Sequence, residues 1–137
     1  MKRRESREIA FTLLFEWDFN GEPVDVIIRQ ASEVRGEKVD TFTRELVQKT
    51  TENIDQIDSL IEQYSQNWKI SRISRVTLAA IRLAFCELLF FDKIPEGATI
   101  NEAVELVKKY GTDDESSYLN GILGGYVRGS ASKGEDG

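Results

Sequence analysis

The sequence predicts an all-α protein, about seven helices in one compact domain, and three observations lead there. Apolar residues recur at helical spacing in nearly every segment. No alternating strand pattern or Asn-Gly hairpin interrupts them, and Asn120-Gly121 sits inside a helical pattern. At 137 residues, 40% hydrophobic and 31% charged, the chain suits a single globular domain that buries about two-thirds of its unfolded surface.

Ala10, Leu13, Leu14 and Trp17 fall at i, i+3, i+4 and i+7, with Ile9 and Phe11 widening the face. The turn Asn20-Gly21-Glu22-Pro23 ends this first helix. Val24, Ile27, Ile28, Ala31 and Val34 make a second stripe, closed by Arg35-Gly36. Asp40 is the N-cap of a third helix with Phe42, Leu46 and Val47 facing inward. A stripe resumes through Ile54, Ile57, Leu60, Ile61, Tyr64 and Trp68. Thr50-Thr51 and Asn53 are poor helix-interior residues and predict a bend between the two. Ser71 or Ser74 caps the next helix, which runs to about Phe91. It is apolar around most of its circumference, as a helix buried by its neighbours must be.

Asp92 through Gly97, with Pro95, breaks the chain. Thr99-Ile100-Asn101-Glu102 matches a capping box, in which the two side chains satisfy orphan N–H groups reciprocally. Ile100, Ala103, Val104, Val107 and Tyr110 form that helix's stripe, with Gly111 at C′. A last helix starts near Asp113 or Asp114 and turns Tyr118, Leu119, Ile122, Leu123 and Tyr126 inward or sideways. Gly121 within it costs about 1 kcal/mol against alanine, so either packing is tight there or something approaches closely. The domain is expected over 1–127, with 128–137 (RGSASKGEDG) as a disordered polar tail.

Catalysis has no visible apparatus. There is no histidine, the commonest general base and neutral metal ligand. One cysteine cannot build a zinc site, and Cys86 lies on an apolar face as an inert core thiol. Asp113-Asp114-Glu115 lacks the alternating ligands of a calcium loop and reads as helix capping. No enzyme activity, metal or cofactor is expected. A lone cysteine, no span of ~20 apolar residues and no signal peptide point to the cytoplasm, away from membranes. Arg82 and Glu87 stand within the buried-looking helix and need partners; Arg82 with Glu102 is the expected structural ion pair.

The amino terminus is the electrostatic anomaly. Lys2, Arg3, Arg4 and Arg7 give residues 1–8 a net charge of +2 on a chain of −6. The positive end of a helix dipole disfavours each by about 0.3–1 kcal/mol. Either this is a solvated terminus or an anion arrives to relieve it, and arginine suits bidentate phosphate contacts and base stacking. The acidic remainder disfavours indiscriminate nucleic-acid binding.

The second half carries a resemblance. NWKISRISRVTLAAIRLAFCELLFFDKIP followed by ATINEAVELVKKYGTDDESSYLNGIL resembles the NusB family of transcription antitermination factors. The order and spacing of Trp68…Arg72, Ile81-Arg82-Leu83-Ala84…Glu87-Leu88, Ile94-Pro95, Ile100-Asn101-Glu102-Ala103 and Asn120-Gly121 all agree, as does the arginine-rich opening. The likeness spans about residues 3–125 and implies two helical subdomains. It also implies binding of single-stranded boxA RNA together with the ribosomal protein NusE, within an RNA polymerase antitermination complex that reads through terminators, notably in ribosomal RNA operons. Carried over by position, Arg3, Arg4 and Arg7 are phosphate and sugar contacts. Tyr118, before Asn120-Gly121, is a stacking aromatic; Asn120 and Asp114 lie on the RNA surface. Phe15 stands where a tyrosine is familiar, and Thr77-Leu78 stands in place of an Asp-Arg-like pair. This reading expects Arg4→Ala with Arg7→Ala to weaken boxA binding while leaving the melting temperature nearly unchanged.

Three other readings remain open. One is the amino-terminal part of a ribosomal RNA methyltransferase, another a non-catalytic protein-binding helical module. The third is a homodimer in which Phe11, Phe15 and Tyr118 cover one another.

Overall fold

The computed structural model describes residues 2–65 and 69–136, so Trp68 lies outside the described residues. Among the described residues seven α-helices form: α1 (Arg3–Asn20), α2 (Val24–Arg29), α3 (Thr41–Glu52), α4 (Ile54–Tyr64), α5 (Arg75–Phe90), α6 (Glu96–Tyr110) and α7 (Asp113–Asp136). No strand occurs among the described residues, and none of their helices is long and apolar enough to cross a membrane.

Local signals set most helix ends. Gly21 closes α1 in the left-handed region, at φ 69° and ψ 12°, and its N–H reaches Trp17 O; lacking Cβ, glycine adopts this without strain. Asp40 caps α3, its carboxylate accepting the Thr43 N–H at 2.8 Å. Asn53 breaks α3 from α4 at φ −114° and ψ 27°. Ser74, not Ser71, caps α5 by accepting the Thr77 N–H at 3.2 Å. Ser71 instead sits in a short 3₁₀ turn, Ile70–Arg72.

Other expectations are corrected. After α2 the chain widens into a π-helical turn, Gln30–Val34. The Arg35 N–H bonds back five residues to Gln30 O. That change of period swings Val34 off the stripe, leaving it 78% exposed while Ile27, Ile28 and Ala31 are buried. The capping box does not form. Pro95, which has no N–H to satisfy, precedes α6 directly, so the helix begins at Glu96 and already encloses Thr99 and Glu102. Their side chains are free to take tertiary partners.

Gly111 ends α6 at φ −124°, outside the left-handed region. Space is tight there: a Cβ would lie 3.0 Å from Val107 O and 3.2 Å from Glu115 Oε2. Gly121, by contrast, faces open space, so tight packing is not its reason. Thr112 caps α7, its hydroxyl accepting the Glu115 N–H at 3.1 Å, while Asp113, Asp114 and Glu115 fill the first turn. α7 continues across position 128 through Asp136, so the change of composition there coincides with no helix end.

The core is organised by α5, which packs against α1, α3, α4, α6 and α7. Every residue from Thr77 to Glu87 on it is buried. Phe85 is fully enclosed and meets the Tyr126 ring edge-on at 5.1 Å.

Candidate nucleic-acid interface

The first turns of α1 place their cations against three different neighbours. Arg7 points inward and is 6% exposed. Its Nε and a terminal nitrogen donate to the two carboxylate oxygens of Glu87, both at 2.8 Å. The Thr99 hydroxyl donates to Glu87 Oε1 at 3.0 Å, so α1, α5 and α6 meet at one buried carboxylate. Arg3 lies over the Phe42 ring, 3.8 Å from its centroid, a cation–π contact between α1 and α3. Arg4 forks Glu102 of α6 through two contacts of 3.1 Å, yet its side chain stays 66% exposed.

The helix opening is therefore tolerated because tertiary structure supplies the counter-charges that the dipole does not. This corrects the expected roles. Arg7 is spent inside the fold and is not a surface contact, and the double substitution at Arg4 and Arg7 must lower stability. Glu102 belongs to Arg4, so the expected Arg82–Glu102 pair is absent. Arg82 instead forks Asp58 at 2.8 and 2.9 Å and reaches Asp18 at 3.2 Å. Burial opposes its charge, but these two carboxylates more than compensate and raise its pKa. Helical periodicity places Arg82 on a buried face; which acids meet it depends on how α1 and α4 cross α5.

Further along α1, Glu8 receives Lys109 Nζ at 2.5 Å and the Tyr110 hydroxyl, both on Oε1. The Lys109 bond first, then that of Tyr110, holds the Glu8 carboxyl below its ordinary range. Tyr110 in turn stacks on Phe11, centroids 5.2 Å apart. Phe11 is 3% exposed, which removes it from the expected Phe11–Phe15–Tyr118 dimer face.

The last turns of α1 carry an aromatic step. Phe15, half-buried, stacks with Phe19 at 6.4 Å, and Phe19 is 66% exposed. Arg75, at the start of α5, covers the Phe19 ring at 5.2 Å. At the entry to α5 opens a cleft of about 410 Å³ lined by Arg72, Ile73, Ser74, Thr77, Asp114, Glu115 and Tyr118. Its floor is a tight acceptor: Glu115 takes the Thr77 hydroxyl at 2.5 Å and the Ser74 hydroxyl at 2.6 Å. The Ser74 bond, then that of Thr77, lowers the Glu115 pKa. Thr77 and Glu115 are thus paired with each other, and the carboxylate stays charged with its Oε2 occupied by the two hydroxyls.

Of the predicted residues, Asp114 and Tyr118 line the cleft at the start of α5, Phe15 stacks with Phe19 near the end of α1, and Arg3 and Arg4 stand in its first turn. Asn120 does not join them. It lies in a separate groove between α6 and α7, with Gly97, Ile100, Asn101, Val104, Lys108, Ser116 and Ser117, because Tyr118 and Asn120 are only two residues apart on a helix and so diverge. Cys86 is enclosed, and burial pushes its thiol pKa up to about 12. Sequence reasoning missed Phe19, Arg72, Arg75, Lys109 and Tyr110. The signal for Phe19 was there: it follows Phe15 by four residues on the side away from the Ala10–Leu13–Leu14 stripe. The arginines carried no local sign of their neighbours.

What results is a seam along α1 with exposed arginines, a lysine and aromatic rings, set on an acidic body. Such a surface can hold phosphates by charge and bases by stacking. A profile of the NusB family matches residues 4–128. The chain is 45% identical over 128 residues to the transcription antitermination protein NusB of Natranaerobius thermophilus, covering 90% of this chain and 92% of that one. For the same protein of Alkaliphilus oremlandii, identity is 40% over 131 residues, covering 93% and 94%. A T. maritima NusB structure superposes with a TM-score of 0.82 at 35% identity, over 90% of this chain and 88% of that one. A crystal structure of the antitermination factors NusB and NusE in complex with dsRNA does so with 0.81 at 30% identity, over 90% and 93%. The match covers the arginine-bearing α1, the buried α5 and the Tyr118 cleft together, and this chain belongs to the NusB family.

Proposed function

We propose that this chain is a transcription antitermination adaptor. It binds single-stranded boxA RNA together with NusE and acts within an RNA polymerase antitermination complex to promote read-through, notably in ribosomal RNA operons. It works in the cytoplasm by binding alone, without catalysis, metal or cofactor. The observation that carries this reading is the start of α5: Arg75 covers the exposed Phe19 ring, and the neighbouring Ser74 and Thr77 line a cleft that also holds Tyr118 and Asp114. Relatives named as NusB antitermination proteins, and a similar structure that pairs NusB with NusE and dsRNA, support it.

The division of labour follows from charge. Stacking on an aromatic contributes about 1–3 kcal/mol per base, whichever the body's net charge. Arg3, Arg4, Arg72 and Arg75 supply phosphate contacts, and a net charge of −6 discourages RNA from settling elsewhere.

The test is fluorescence anisotropy with a short boxA-type RNA and a scrambled control, with and without NusE, across a salt series. Preferential binding that NusE tightens, with a log–log slope near −0.7 per phosphate contact, is the expected result. Equal affinity for both RNAs with NusE present rejects it. Phe19 and Phe15 also offer a patch for a second copy of the chain, and sedimentation with and without RNA reads whether a homodimer competes with RNA.

A further inference from the structure

We infer that Lys109 and Tyr110 form a phosphodiester subsite on this surface, and that in the free protein Glu8 occupies it as an internal anionic competitor. The inference rests on the RNA reading and adds to it a site and a control. Its basis is convergence: an ammonium and a phenol hydroxyl, from neighbouring residues at the end of α6, meet on a single oxygen of Glu8. Two donors spaced for one carboxylate oxygen are spaced for one phosphate oxygen. Both are reachable, Lys109 at 59% side-chain exposure and Tyr110 at 43%.

The donors are also held ready. Tyr110 is stacked on the buried Phe11, so its ring stays in place while its hydroxyl changes acceptor. Alongside lies a groove of about 210 Å³ lined by Arg4, Arg7, Glu8, Glu102, Glu105, Leu106 and Lys109. Its three cations are matched by three carboxylates, so it offers no net attraction to a passing polyanion. An arriving phosphate must displace a carboxylate. Exposed pairs are weak, so that exchange is easy where stacking at Phe19 or Tyr118 already anchors the strand, and unrewarded where it does not. Glu8 thereby favours anchored RNA over incidental RNA.

The experiment titrates wild type, Glu8→Gln and Glu8→Gln with Lys109→Ala against a boxA-type RNA and its scrambled control, with NusE, across salt. Glu62→Gln, an exposed glutamate on α4, controls for the general loss of a negative charge. Glu8→Gln is expected to tighten binding about two- to fivefold, the size of one exposed ion pair. The scrambled RNA should gain more than boxA, and Lys109→Ala should remove the gain. Thermal melting checks that each variant is folded. Unchanged or weaker binding of both RNAs by folded Glu8→Gln overturns the inference, as does an equal gain from Glu62→Gln. In either case wild-type preference for boxA leaves the RNA reading standing. Wild type and Glu8→Gln that both lack that preference reject the two together.

Discussion

Arg4 and Arg7 stand three residues apart on α1, and each forks both oxygens of one glutamate. Around Arg7 the side-chain exposures are 7% and 2%, and a hydroxyl from α6 completes the carboxylate's partners. Around Arg4 they are 66% and 17%, so the guanidinium itself stays open to solvent. Burial makes the first pair costly to break, because removing one partner strands a charge in a low dielectric. The second pair is screened and exchangeable. The same residue type, one turn apart, is a structural fixture in one case and, in the proposed RNA reading, a phosphate contact in the other.

The largest effect tests the buried side. Arg7→Ala should destabilise the fold by about 3–5 kcal/mol, read by urea unfolding. A loss below about 1 kcal/mol would mean that Glu87 finds water or another donor, and the contrast would collapse. Next comes the exposed aromatic step. Phe19→Ala should cost about 1–3 kcal/mol in boxA affinity while stability moves by no more than about 0.5 kcal/mol. A large loss of stability with no change in binding would make Phe19 a packing residue.

Arg4→Ala is a smaller test on the open side. Stability should barely move, because the pair is exposed and screened, and the RNA salt slope should flatten by about 0.7. An unchanged slope would remove Arg4 from the phosphate contacts. The smallest expected effect is pH-dependent and concerns the cleft. Bonds from Ser74 and then Thr77 lower the Glu115 pKa from 4.5, so its stabilising contribution is full above that value and is lost as pH falls through the lowered one. Melting temperatures of wild type and Glu115→Gln should differ at neutral pH and converge only in acid. Curves that stay parallel to low pH would show the carboxylate is not what holds Ser74 and Thr77.

The elements that were legible in advance share a physical trait: their signal is local. The stripe of α1, the left-handed Gly21, the Asp40 cap, the break at Asn53 and the buried circumference of α5 depend on residues within one or two turns of each other. The capping box at Thr99 and Glu102 failed because Pro95 starts the helix a turn earlier, and its two side chains pair instead with Glu87 and Arg4, 12 and 98 residues away in sequence. Val34 failed because one π turn changed the period on which its assignment depended.

Sequence by itself determined the all-α class, the order of the helices, the absence of a histidine-based active site and a family resemblance that the comparisons upheld. Only the tertiary structure decided which charges face water. It sent Arg7 to Glu87, Arg82 to Asp58 and Asp18, and Lys109 with Tyr110 to Glu8, and it set Asn120 apart from Tyr118. The reason is that helix periodicity assigns a residue to a face, whereas an ion pair needs two faces brought together, and that is settled by how α1, α4 and α6 pack on α5.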